Sequence, residues 1–162
     1  MIIFYIYFGN QMKNLYIIKT GSTFNTTKEQ YKDFEHWIIE KLENKHLKIK
    51  IIDVQKEETL PEVSLCDGII ITGSHSMVSD EEAWSVSIEK WLLDVKQKDI
   101  PTLAICYGHQ LLVKALGGDS GYHEKGIEIG TVSVELQGIA KEDKLFSSLP
   151  KSFLAHTIHS QT

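Results

Sequence analysis

One run of residues has the types and spacing for covalent chemistry: Leu103-Ala104-Ile105-Cys106-Tyr107-Gly108-His109-Gln110. It lies between a short apolar run that begins at Pro101 and a helix-periodic run, Leu111 to Leu116, that closes on Gly117-Gly118. That order reads as strand, sharp turn, helix. With Ala104 two places before Cys106 and Gly108 two places after it, such a turn holds a sulfur clear of the backbone and close to free amide N–H groups. A helix beginning near His109 or Gln110 points the positive end of its dipole back at the turn, so a developing oxyanion meets donors there. The chemistry implied is nucleophilic attack by the Cys106 thiolate, with the oxyanion that develops held by those donors.

The elements that must position this turn can be read from the rest of the chain. Leu15 to Lys19 is a short apolar run ending at Thr20-Gly21-Ser22, which suits a buried parallel strand. Thr26 with Glu29, or Thr27 with Gln30, offers a capping box for a helix that carries Tyr31, Phe34, Ile38 and Leu42 and runs to about Asn44. Lys48 to Val54 reads as a second strand, and Gln55 to Leu65 as a polar connection containing Pro61. Ile69 to Thr72 is apolar on both faces, as a central parallel strand should be. Glu81 to Lys98 is a helix with Trp84, Ile88, Trp91, Leu92 and Val95 on its apolar face, and its two Trp read as packing residues. Ile100 to Cys106 follows as the central strand, with Gln110 to Leu116 as the helix behind it.

This alternation predicts an α/β fold, an open doubly wound and mostly parallel sheet with helices on both faces, whose ligands sit beyond the carboxyl ends of the strands. Gly73-Ser74-His75-Ser76-Met77-Val78 leaves the end of the third strand and should border the same crevice as Cys106. Gly73 lets backbone come close to a ligand, and loop amides there are ready donors. Beyond the nucleophile helix, Gly117 to Gly130 reads as a surface loop, Thr131 to Leu136 as a half-exposed strand and Phe153 to Thr157 as one more.

Composition bounds the reading. A chain of 162 residues with 42% hydrophobic and 24% charged residues fits one soluble domain with one core. A net charge of −5 gives no reason to expect nucleic acid. All 17 basic residues are Lys, so the bidentate guanidinium fork used to clamp phosphate is absent. Cys66 and Cys106 are expected as free thiols in a reducing cytoplasm. The apolar stretch Met1 to Phe8 is too short to span a bilayer, and residues 1–11 are expected to be an N-terminal extension before a domain over 12–162. No membrane partner, metal or cofactor is expected.

The stretch Ala104-Ile105-Cys106-Tyr107-Gly108-His109-Gln110-Leu111-Leu112, with Ala115-Leu116-Gly117-Gly118 after it, resembles the G-x-C-x-G-x-Q nucleophile segment of class I glutamine amidotransferases, Ala104 standing for the first Gly. Gly73-Ser74 resembles the family's oxyanion loop, with His75 where Pro is common. Ile127-Glu128-Ile129-Gly130 and Asp143 to Pro150 resemble later family segments, and the chain is similar to the amidotransferase portion of GMP synthase. The resemblance implies a flavodoxin-like fold and hydrolysis of the glutamine side-chain amide, with ammonia passed to an acceptor. It implies Cys106 as nucleophile, Gly73, Ser74 and Tyr107 as backbone oxyanion donors, and Gln110 with Gly108 at the substrate.

Members of this family complete a Cys-His-Glu triad with a later H-P-E type motif, and no His in this sequence has an acidic residue two places on. His159-Ser160-Gln161 resembles an earlier family segment that borders the site without supplying the base. The local His residues left to replace it are His75, His109, His156 and His159, and His156-x-x-His159 could also pair on a metal. The expectation is therefore a C-terminally incomplete domain, with apolar sheet surface uncovered and self-association through it. Three alternatives stay open: a γ-glutamyl peptidase or hydrolase, a non-catalytic homologue that binds or regulates, and a redox-sensing thiol protein.

Overall fold

The computed structural model describes residues 12–42 and 46–162, so the expected extension over 1–11 and the expected helix end at Asn44 lie outside the described residues. The described residues up to Gly121 form one compact unit and Tyr122–Thr162 form a second.

The first unit is built on four strands: β1 (Lys13–Lys19), β2 (Leu47–Asp53), β3 (Gly68–Ile71) and β4 (Thr102–Ala104). They pair in the order β2-β1-β3-β4, every pair parallel. Because side chains alternate along a strand, β1 and β3 supply two cores from one sheet. Tyr16, Ile18, Ile69 and Ile71 face one side, where helices α3 (Ala83–Gln97) and α4 (Tyr107–Ala115) cover them with Ile88, Leu92, Val95, Tyr107 and Leu111. Leu15, Ile17 and Ile70 face the other side, against Ile38 and Ile39 of α2 (Phe34–Lys41). Helices thus cover both faces, as the doubly wound reading requires. Each fully buried Ile contributes roughly 1.5–3 kcal/mol, so the Ile-rich β1 and β3 hold the unit together. Trp84 and Trp91 of α3 pack at the margin of the first core.

Three expectations are corrected. The helix expected from the Thr26 or Thr27 capping box to Asn44 is two helices, α1 (Asn25–Tyr31) and α2, with Phe24 rather than a threonine at the first N-cap. The chain breaks at Lys32, whose φ is 66°, so that Asp33 can leave the helical path. Asp33 caps α2 through Phe34 N–H at 2.9 Å and accepts Thr23 N–H at 2.9 Å and Lys19 Nζ at 2.7 Å. Lys19 also reaches Glu35 at 2.8 Å, and all three side chains are buried. Burial alone would push the Asp33 carboxyl up, but the Lys19 and Lys28 ammonium groups and two amides outweigh it and hold it well below the usual carboxylate range.

Second, the strand of the nucleophile segment is Thr102–Ala104, shorter than expected, and it lies at the edge of the sheet rather than its centre among the described residues. Third, α4 starts at Tyr107, two or three residues earlier than expected, because Cys106 takes up the whole turn.

The second unit is an antiparallel hairpin of β5 (Glu128–Glu135) and β6 (Ser152–His159). Val132 and Val134 on β5 lie opposite Ala155 and Phe153 on β6 and are half-buried, while Ile129, Leu154 and Ile158 on the other face are exposed. Asp143 closes the connecting turn by accepting Leu145 and Phe146 N–H at 2.7 and 3.2 Å. No helix among the described residues is long and apolar enough to cross a membrane.

Candidate active site

The backbone at the turn decides the site. Cys106 has φ 52° and ψ −111°, a conformation that costs a non-glycine residue on the order of 1–3 kcal/mol. Two contacts hold it there. Ile105 N–H donates to Ile71 carbonyl oxygen at 3.0 Å, extending the sheet past β4, and Gly108 N–H donates to Thr72 carbonyl oxygen at 3.2 Å, tying α4 to the end of β3. The second contact needs glycine: a Cβ at residue 108 would lie 2.8 Å from both Ile71 Cγ2 and Ile71 O. The strained turn leaves Cys106 exposed at the N-terminus of α4, where it faces the positive end of the helix dipole. Cys66, in contrast, is buried, and burial pushes its thiol up.

The loop after β3 closes against this turn. A Cβ on Gly73 would stand 3.5 Å from Cys106 Cβ and 4.0 Å from Sγ, so Gly73 backbone borders the sulfur directly. Ser74 follows, and its Oγ accepts Ser76 N–H at 3.1 Å. Among the described residues, neither Ser74 N–H nor Tyr107 N–H has a hydrogen-bond acceptor. One unspent backbone donor thus follows the cysteine in sequence and another follows the Gly73 that borders the sulfur, a pair suited to a tetrahedral oxyanion.

Gly108 lies buried under the turn, and Gln110 sits half-buried in the first turn of α4 with its N–H on Cys106 carbonyl oxygen at 3.1 Å. The Tyr107 side chain turns away into the core. Its hydroxyl meets Ser85 Oγ at 2.8 Å, and burial pushes its pKa up to about 12. Tyr107 is thus available to the site through its backbone alone.

Residues with no evident motif complete the arrangement. Thr20 N–H donates to Thr72 Oγ1 at 3.0 Å, and Thr20 Oγ1 donates to Thr72 carbonyl oxygen at 2.9 Å. Gly21 packs so tightly on Ser74 that a Cβ there would come within 2.7 Å of Ser74 Cα. The sequence signal for them is only that Thr20-Gly21-Ser22 ends the first apolar run.

None of the four His residues considered as a replacement base hydrogen-bonds Cys106 among the described residues. His75 is exposed and stacks on Phe24, with ring centroids 4.7 Å apart, and His109 is exposed on α4. His156 and His159 belong to the second unit, where His156 Nδ1 meets Thr131 Oγ1 at 2.9 Å and His159 Nε2 lies 2.8 Å from Glu128 Oε2. Three positions apart on one strand, they project to opposite faces, which separates them as metal ligands.

Comparison with known proteins places the chain beside glutamine amidotransferases. The model of the family "Glutamine amidotransferase class-I" matches residues 27–162. The chain is 30% identical over 131 residues to a glutamine-hydrolyzing GMP synthase subunit from Archaeoglobus fulgidus, covering 80% of this chain and 63% of that protein. It is 31% identical over 98 residues to Gamma-glutamyl peptidase 5 of Arabidopsis thaliana, covering 57% of this chain and 38% of that protein. In fold it matches the crystal structure of a glutamine amidotransferase from Thermotoga maritima, with a TM-score of 0.73 and 20% identity over 94% of this chain and 62% of that one. The chain therefore spans less than two thirds of the length of each of these proteins. With the family model covering all but the first residues, this chain belongs to the class I glutamine amidotransferase family.

Proposed function

We propose that the chain carries the nucleophile half of a glutamine-hydrolysing site. Cys106 Sγ bonds to the side-chain carboxamide carbon of glutamine, and the carbonyl π electrons move to oxygen. The resulting oxyanion takes hydrogen bonds from Ser74 and Tyr107 N–H, beside the close backbone approach at Gly73. The oxyanion's electrons then re-form the carbonyl as the carbon–nitrogen bond breaks, the nitrogen leaves as ammonia with the proton the thiol gave up, and water hydrolyses the γ-glutamyl thioester to glutamate and free thiol. Gln110 and Gly108 serve the substrate, the first as a polar side chain at the mouth of the site and the second by bringing α4 close to the loop. The observation that carries this reading is the strained, exposed Cys106 between two unpaired amides.

A free thiol is largely protonated at neutral pH, and a His partner ordinarily takes its proton and returns it to the leaving amine. No described residue holds that position, so ammonia release by this chain alone is expected to be slow. Full turnover then requires a His–carboxylate pair supplied from outside the described residues. The similarity to a protein named as one subunit of a GMP synthase supports an ammonia-accepting partner. Two free thiols suit a reducing cytoplasm, where we place the protein. The relation to Gamma-glutamyl peptidase 5 supports a second substrate class, γ-glutamyl amides with a larger leaving group.

The test is intact-mass labelling with a diazo-oxo-norleucine, in parallel with ammonia release from glutamine and amine release from γ-glutamyl peptides. Glutamine-protectable labelling of Cys106 is expected, and its absence would remove the reading in favour of a binding or redox role. Faster release from γ-glutamyl peptides than from glutamine would select the second substrate class.

A further inference from the structure

The donor assigned to the oxyanion is a backbone amide, and an amide points only where its peptide plane points. Residues that set the plane of the Gly73–Ser74 peptide therefore decide whether the site has that donor. The Gly73 carbonyl oxygen lies 3.1 Å from Thr72 Oγ1 and 3.2 Å from Thr20 Oγ1, on the side of the loop where β1 and β3 end. Each hydroxyl has one proton, and the assignment that uses the three shortest contacts leaves the 3.2 Å approaches of Thr20 Oγ1 to Thr72 Oγ1 and to Gly73 carbonyl oxygen without one. Thr20 N–H donates to Thr72 Oγ1, Thr72 Oγ1 donates to Gly73 carbonyl oxygen, and Thr20 Oγ1 donates to Thr72 carbonyl oxygen. The Thr72 carbonyl also takes Gly108 N–H, and both threonines are fully buried. The cluster is thus dry and closed on itself.

No peptide bond of the described chain is cis, so Ser74 N–H lies anti to the Gly73 carbonyl and faces away from the threonine pair. Gly73 itself is packed against Cys106 Cβ and Sγ. Gly21 abuts Ser74 Cα and limits the loop from the β1 side. Asp33 fixes the far end of that β1 loop by accepting Thr23 N–H at 2.9 Å.

We infer that Thr72 is a positioning residue for the oxyanion donor: its hydroxyl, held by Thr20, locks the Gly73 carbonyl inward and so turns Ser74 N–H out toward Cys106. The inference rests on the proposed use of Ser74 N–H in acyl transfer. Without the hydroxyl, the peptide can rotate about Gly73, which offers little steric resistance, and the donor is lost for part of the time.

The experiment uses a chloromethyl ketone analogue of glutamine, whose carbonyl accepts Cys106 Sγ to give a tetrahedral alkoxide before alkylation, with iodoacetamide as a reagent that forms no oxyanion. Thr72→Val is expected to lower the chloroketone kinact/KI about 10-fold or more, a loss of the size that follows weakening of one oxyanion donor. Iodoacetamide alkylation of Cys106 should change less than about twofold, and Thr72→Ser should restore the chloroketone rate, since the lost donor is the hydroxyl alone. An unchanged chloroketone rate in Thr72→Val overturns the inference. An equal loss toward both reagents also overturns it, because Thr72 would then hold the turn rather than the donor. If the unsubstituted chain reacts with iodoacetamide but shows no glutamine-protectable chloroketone labelling, the functional reading fails first. Thr72→Val also leaves Thr20 N–H without its acceptor. Should that variant not fold, amide hydrogen exchange on the unsubstituted chain decides: Ser74 N–H must exchange fast when free and slow in the tetrahedral hemithioacetal that Cys106 forms with a γ-aldehyde analogue of glutamine. Equal exchange in both states overturns the inference.

Discussion

Gly108→Ala is the perturbation on which the geometry of the turn speaks most directly. A methyl group there would lie 2.8 Å from Ile71 O, 2.8 Å from Ile71 Cγ2 and 2.9 Å from Ile71 Cβ. An ordinary contact needs about 3.4 Å or more, so α4 and β3 must part by roughly 0.6 Å, and the carbonyl oxygen belongs to the sheet and cannot swing aside. That separation stretches the Gly108 N–H bond to Thr72 carbonyl oxygen, now 3.2 Å, beyond useful length. Overpacking of this kind costs about 1–3 kcal/mol, which for a chain of this size lowers Tm by roughly 2–10 °C. Gly73→Ala is the contrasting substitution. Its methyl would meet Cys106 Cβ at 3.5 Å and Sγ at 4.0 Å, ordinary contacts that leave stability within about 0.5 kcal/mol. It would crowd the sulfur and slow alkylation by bulky reagents. Urea denaturation and thiol alkylation of both variants make the assay. A Gly108→Ala chain as stable as the parent, or a Gly73→Ala chain destabilised as much as Gly108→Ala, would refute the close-packing argument.

Cys106→Gly should be more stable than Cys106→Ala by about 1 kcal/mol, since only glycine adopts φ 52° and ψ −111° without strain; equal denaturation midpoints would mean that the turn is unstrained. Asp33→Ala removes a helix cap and leaves the buried Lys19 with Glu35 as its remaining ion-pair partner, at a cost of about 3–5 kcal/mol. In the parent chain the Asp33 carboxyl lies below its unfolded value, so its stabilisation is complete above about pH 4 and falls away as pH drops further, an acid limb that urea melts should find weakened in Asp33→Asn. The Tyr107 hydroxyl, raised to about 12, contributes stability below its unfolded value near 10 and loses it between about pH 10 and 12. Tyr107→Phe should flatten that alkaline loss, and a parent chain that keeps its stability through pH 12 would contradict the assignment.

The parts of the site legible in the sequence are those whose signal is local. Cys106 with Gly108 marked the turn because strand, nucleophile and helix are contiguous, and the apolar residues of β1, β3 and α3 carried the right periods. The break at Lys32 was not legible, since Tyr31 and Phe34 keep helical spacing across it; only the long-range tie from Asp33 to Lys19 makes a break worthwhile. Thr72 and Thr20 were invisible for the same reason, being 52 positions apart and related by sheet pairing alone. The edge position of β4 also depends on what pairs with its outer side, which periodicity does not encode.

The strand order has a consequence for how the chain assembles. β1 and β2 are joined across one helical crossover, β3 lies on the other edge of β1, and β4 lies on the outer edge of β3. No strand has to insert between two already joined, so the sheet can grow outward in the order of synthesis. The turn at Cys106 depends on Ile71 and Thr72 at the end of β3, so it acquires its strained shape only with that strand in place. Until β3 and β4 have paired, nothing among the described residues holds Cys106 away from a relaxed backbone.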